Sequence, residues 1–136
     1  MKILIAFFVL FTSHIYASDL TTYKAFGEKE GLTKVVDDLM VNLLKDDRTK
    51  RFFEKADQKR IKEKLVEQFC MELGGPCKYT GQSMSRSHKG QDIKHSHFFA
   101  LVELLQQAMD KHKIPSAAQN KLLAKLAPMH KDIINK

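Results

Sequence analysis

Apolar residues recur at steps of three and four through most of this chain, and no segment alternates apolar with polar at a step of two. That is the periodicity of helices half sunk in a core, and it predicts an all-α domain. Across 30–45 the residues Leu32, Val35, Val36, Leu39, Met40, Leu43 and Leu44 form one wide stripe, which Asp46 and Asp47 end. A second segment, about 57–73, carries Ile61, Leu65, Val66, Phe69 and Leu73 on one face, and Gly74-Gly75-Pro76 stops it. A third helix is expected over 94–111, with Phe98, Leu101, Val102, Leu105, Ala108 and Met109 buried. A fourth begins at Pro115-Ser116 and buries Leu122, Leu123, Leu126, Met129 and Ile133. Pro128 should kink it, because proline removes a backbone donor and crowds the preceding turn.

Two features do not belong to these stripes. Phe52 and Phe53 sit side by side in a short connector and need something apolar to pack on. The region 74–93 is polar and longer than loops in compact domains usually run, which marks it as functional. Four helices without a linker suggest a bundle or a small globin-like packing, and periodicity does not choose between them.

The N-terminus follows another pattern. Lys2 precedes an apolar run from Ile3 to Phe11, and Ile15-Tyr16-Ala17 offers a small residue for cleavage. The expectation is a leader over 1–17 and a mature domain over 18–136, exported to the periplasm or secreted. An uncleaved anchor is the alternative, although Thr12, Ser13 and His14 end the run short of the about 20 residues a membrane span needs. No later segment is apolar enough for stable membrane insertion.

The formal charge of +7 is spread over lysines interleaved with acids, and the chain has no Trp and three Tyr. That argues against nucleic acid, which calls for a basic track with aromatic platforms. Cys70 and Cys77 lack C-x-x-C spacing, so thioredoxin-type redox chemistry is not indicated. In an oxidising compartment they are either a disulfide or a pair of buried thiols.

His88 stands in MSRSHKG, after the glycine-rich GGPCKYTG, and by itself reads as a solvated loop residue. His95 and His97 are two apart in a helix and point to different faces. His112 and His130 are expected on the surface, and the histidines and cysteines make no recognised zinc spacing, so no separate metal site is expected.

Taken jointly, GLTKVVDDLM, FFEKADQ, FCMELGGPCKYTG, M-x-x-x-H-x-G and the A-P-x-x-x-x-I ending from Ala127 to Ile133 resemble the truncated haemoglobins, specifically group I. The resemblance covers essentially the whole mature chain. It implies a two-over-two helical sandwich, a non-covalent haem b and binding of a diatomic gas (O2, NO or CO). The absence of C-x-x-C-H agrees with non-covalent attachment. His88 becomes the proximal ligand, whose neutral imidazole leaves the other face of the iron open. Met84, one helical turn earlier, packs on the porphyrin. Phe53 matches the family's aromatic contact, with Phe52 beside it, and Tyr79, Phe69 and Phe98 become wall residues. Core packing is the plainer reading of these aromatics.

The distal side departs from the family. Group I members typically carry a tyrosine late on the helix that matches 30–45 here and a glutamine on the helix after the Phe-Phe pair, both donating to bound oxygen. The matching positions here are Met40 and Leu65, with Ile61 one turn before. Each lost neutral hydrogen bond weakens retention by about 0.5–1.5 kcal/mol, so oxygen should leave quickly. Met40 is either a flexible gap-filler or, through its thioether, an internal sixth ligand. Lys64 could reach a propionate or the iron, and Arg86 and Lys89 could pair with propionates or simply be solvated.

The leader pattern and the resemblance together give the expectation of an exported, monomeric protein that binds haem through His88 and a gas on an apolar distal face. A rival is a nitric oxide dioxygenase, which needs lasting oxygen retention and an unidentified reductase. A third reading is a haem-free helical interaction module that kept the fold alone.

Overall fold

The computed structural model describes residues 20–136. The leader expected over 1–17 lies outside the described residues.

Every regular element among the described residues is helical. In chain order they are α1 (Leu20–Ala25), α2 (Glu28–Lys45), α3 (Lys50–Phe53), α4 (Gln58–Glu72), α5 (Met84–Ser87), α6 (His95–Lys111), α7 (Ser116–Leu126), a 3-10 turn (Ala127–Met129) and α8 (His130–Ile133). The four long helices are those the apolar spacing predicts, the first three within a residue or two at each end, while the fourth stops at Leu126 instead of running on to Ile133. α2 lies at the centre, packed on both α4 and α6, and α7 packs against α1, α4 and α6. This is the two-over-two sandwich. Its interior is the α2 stripe of Leu32, Val35, Val36, Leu39 and Leu43, fully buried against Phe69, Leu105, Met109 and Leu122. Truncating one such leucine to alanine costs about 2–5 kcal/mol, because the void collapses only in part.

Short polar ties fix the connectors. Buried Thr49 donates from its hydroxyl to the Leu43 carbonyl at 2.9 Å, folding the chain back after α2 so that Phe52 and Phe53 fall on the one-turn α3. Asp57 caps α4 by accepting the Arg60 amide at 3.1 Å, and Ser83 caps α5 in the same way through the Arg86 amide. At the far end of α6, Lys111 and His112 hold Asp38 of α2 at 2.8 and 2.6 Å. His112 is therefore half-buried in an inter-helix tie and is not the free surface residue expected from its sequence context.

Pro128 does more than kink a helix. α7 ends at Leu126, the proline occupies the 3-10 turn, and α8 resumes as a separate single turn. The segment after α8 then clamps the loop that follows α5. The Gly90 amide donates to the Lys136 carbonyl at 2.7 Å and the Asn135 amide to the Ile93 carbonyl at 3.0 Å. Gly90 has φ +77°, a left-handed conformation suited to glycine.

Candidate functional site

Between α3, α4, α5, α6 and the C-terminal turns lies a cavity of about 390 Å³, within the range of pockets that take a cofactor. Nine of the ten residues singled out from the sequence line it. Phe52 and Phe53 come from α3; Ile61, Leu65 and Phe69 from α4; Tyr79 from the glycine-rich loop; Met84 and His88 from α5 and its C-cap; and Phe98 from α6. Met40 is the exception. It is buried on α2 but is not part of the lining, because the cavity is walled by α4 and α6, the two helices that flank α2. Arg86 and Lys89 are exposed and also outside the lining.

The His88 ring is held through one nitrogen. Its Nδ1 lies 2.7 Å from the Met84 carbonyl oxygen and 3.0 Å from Ser87 Oγ. A carbonyl can only accept, so Nδ1 carries the proton. The Ser87 hydroxyl sends its own proton to the Ser83 carbonyl at 3.0 Å and accepts from Nδ1. In the neutral ring Nε2 therefore keeps its lone pair, and it has no hydrogen-bond partner among the described residues. Metal-binding histidines are set up in this way, with the second nitrogen donating to a carbonyl.

A disulfide between Cys70 and Cys77 joins the end of α4 to the loop that carries Tyr79. Gly75 is required there, since a Cβ would come within 2.6 Å of Cys70 Sγ and 2.8 Å of the Tyr23 ring. Glu67 fastens the same loop. Its carboxylate accepts from the Thr80 amide at 3.0 Å, the Thr80 hydroxyl at 2.9 Å and Lys64 Nζ at 2.9 Å. The Thr80 amide, then Lys64, then the Thr80 hydroxyl hold the Glu67 pKa down at about 2. Burial, with the Glu67 charge adding to it, raises the pKa of Tyr79. The Tyr79 hydroxyl donates to the Gln82 carbonyl at 2.6 Å.

Several lining residues were not anticipated as site residues. Leu101, Val102, Leu105, Met129 and Ile133 read from the sequence as apolar core positions, and they also line the cavity. Gln68 also lines the cavity. It is buried on α4, and its Nε2 donates to Met129 Sδ at 3.3 Å and Met84 Sδ at 3.7 Å, tying α4 to both sides of the site. A glutamine three residues after Leu65, on an otherwise apolar face, was the available signal. His97 lines the cavity while its Nδ1 accepts the Lys94 amide at the start of α6.

Among the described residues no carboxylate lines the cavity, whereas Arg60 and Lys64 do. An apolar slot with cations at its margin and a single imidazole lone pair suits a flat, apolar, metal-bearing ring with acidic substituents. The donor set therefore fits haem.

Comparison with known proteins agrees with this geometry. The family model described as bacterial-like globin matches residues 21–135. The group 1 truncated haemoglobin GlbN of Mycolicibacterium paratuberculosis is 33% identical over 117 residues, 86% of each chain. The group 1 truncated haemoglobin of Tetrahymena pyriformis is 28% identical over 85% of this chain and 96% of its own. The crystal structure of truncated haemoglobin from Tetrahymena pyriformis in its Fe(III) form superposes with a TM-score of 0.80 at 27% identity, covering 85% of this chain and 98% of that one. The chain belongs to the bacterial-like globins and, among them, to the group 1 truncated haemoglobins.

Proposed function

We infer that this chain holds haem b through His88 and reversibly binds a diatomic gas. The observation that carries the reading is the fixed imidazole tautomer, which presents an unpaired Nε2 in an apolar cavity of suitable size. When bound, the haem iron supplies the position at which O2, NO or CO is held. His88 would hold the iron through Nε2, and the Met84 carbonyl and Ser87 hydroxyl orient its ring. Phe52, Phe53, Phe69, Phe98 and Met84 form apolar walls that exclude water. Arg60 and Lys64 are the cations suited to propionates, and Lys64 is already steadied by Glu67 and by Thr80 Oγ1 at 2.6 Å.

On the gas side Ile61 and Leu65 offer no donor. Two nearby polar groups are engaged by the protein itself: the Tyr79 hydroxyl by the Gln82 carbonyl, and the Gln68 amide by two thioethers. The site therefore releases oxygen quickly and suits ligands that need no hydrogen bond. Titrating the protein with haem tests the reading. One equivalent should saturate a sharp Soret band that shifts with CO, and a featureless, non-saturating response would refute it.

The N-terminal pattern supports export after cleavage behind Ala17. N-terminal sequencing of the protein recovered outside the cytoplasm checks this, with Ser18 expected first.

A further inference from the structure

Two histidines far apart in the sequence meet on the surface. His95 opens α6 and His130 opens α8, 35 positions later, and His95 Nδ1 lies 2.8 Å from His130 Nε2. The His130 ring is held by its neighbours, whereas the exposed His95 ring meets only His130 among the described residues. His130 stands nearly perpendicular to Phe98 with centroids 4.8 Å apart, and Phe99 packs 5.9 Å away on a tilted plane. At neutral charge, two imidazoles at this distance share one proton, one nitrogen donating and the other accepting. When that proton passes, through solvent, to the other nitrogen of its own ring, both facing nitrogens carry lone pairs and both rings stay neutral, so a metal ion can take the two together.

The separation discriminates among geometries. Metal–imidazole bonds run about 2.0–2.1 Å, so two of them at a right angle put the nitrogens about 2.8–3.0 Å apart, and a tetrahedral angle puts them about 3.3–3.4 Å apart. The observed 2.8 Å matches neighbouring corners of a tetragonal site. We propose that His95 and His130 form a two-histidine site for a divalent transition metal of tetragonal preference, Cu(II) above all, with His95 Nδ1 and His130 Nε2 as donors. A modest rotation of the rings brings both lone pairs onto an ion lying off the line between them, and the exposed His95 has room to make it.

No group of three His, Cys, Asp or Glu among the described residues is placed to hold a metal. Water or an added ligand completes the coordination, and the ion stays exchangeable. The positive end of α6 works against any cation here, which keeps the affinity moderate. The site is separate from the haem reading, since neither histidine lines the cavity.

Cu(II) titration of the full chain, loaded with ferric haem so that His88 is engaged, tests the proposal by electron paramagnetic resonance. One Cu(II) per chain should bind, with superhyperfine coupling to two nitrogens. His95→Ala and His130→Ala should each weaken binding by about tenfold or more, while His112→Ala retains it. Equal affinity in wild type and both variants would overturn the site. Should either variant fail to fold, the wild-type spectrum decides alone: two coupled nitrogens support the site, and one or none overturns it.

Discussion

Met84 fixes His88 through its backbone: the imidazole Nδ1–H donates to the Met84 carbonyl oxygen at 2.7 Å, one turn back along the chain. Since α5 is a single turn, this bond and the Ser87 hydroxyl set the ring without the support of a long helix. Ser87→Ala removes the second acceptor and leaves the first. We expect haem to bind normally, the iron–histidine stretching frequency to shift in resonance Raman, and stability to change by no more than about 1.5 kcal/mol. An unshifted frequency would mean that Ser87 does not tune the ligand.

Leu65 stands where the family typically carries a donor. Leu65→Gln should slow oxygen dissociation by about two- to tenfold, the worth of one neutral hydrogen bond, as followed by stopped-flow. Carbon monoxide release should change less. Equal slowing of both gases would point to altered access and not to a new hydrogen bond.

Met40 is buried outside the cavity lining, so it is not placed to act as a sixth ligand. Met40→Leu should leave ferric and ferrous spectra unchanged. A spectral change on that conservative swap would return the thioether to the site.

The Cys70–Cys77 disulfide closes a short loop whose next residues include Tyr79 of the cavity wall. Cys70→Ser with Cys77→Ser should cost about 2–3 kcal/mol in urea unfolding, from the closure entropy restored to the unfolded chain. Haem transfer to an acceptor globin should also quicken, because the loop then relies on Glu67 and Tyr79 alone.

Glu67 makes that loop's anchoring dependent on pH. Its folded pKa of about 2 lies below the ordinary carboxylate value of 4.5, so its contribution is complete above about pH 4.5 and is lost as pH falls toward 2. Thermal unfolding of wild type against Glu67→Gln should differ at neutral pH, and the two should converge across that acid window. A constant gap from pH 7 to pH 2 would assign the effect to packing.

The long helices were legible because a 3.6-residue stripe needs only local sequence, and the stops at Asp46-Asp47 and Gly74-Gly75-Pro76 are local too. The single turns α3, α5 and α8 were not, since each is too short to show a period: α3 follows the fold-back that Thr49 makes onto the Leu43 carbonyl, and the loop after α5 is held by Asn135 and Lys136 beyond α8. Most of the cavity could be named from the resemblance, which carries spacing information. The resemblance did not foresee that Met40 lies outside the lining, that Gln68 bridges two thioethers, or that His95 meets His130. Those depend on how α4, α6 and α8 cross, which no window of sequence contains.

The central claim is that His88 is the iron ligand, and the ultraviolet-visible spectrum of haem-loaded His88→Gly beside wild type tests it most directly. The account predicts that the wild-type Soret band is lost or displaced in the variant and that added imidazole, filling the vacated space, restores it. A variant with an unaltered ferric and ferrous spectrum would contradict the claim, because another residue would then be holding the iron.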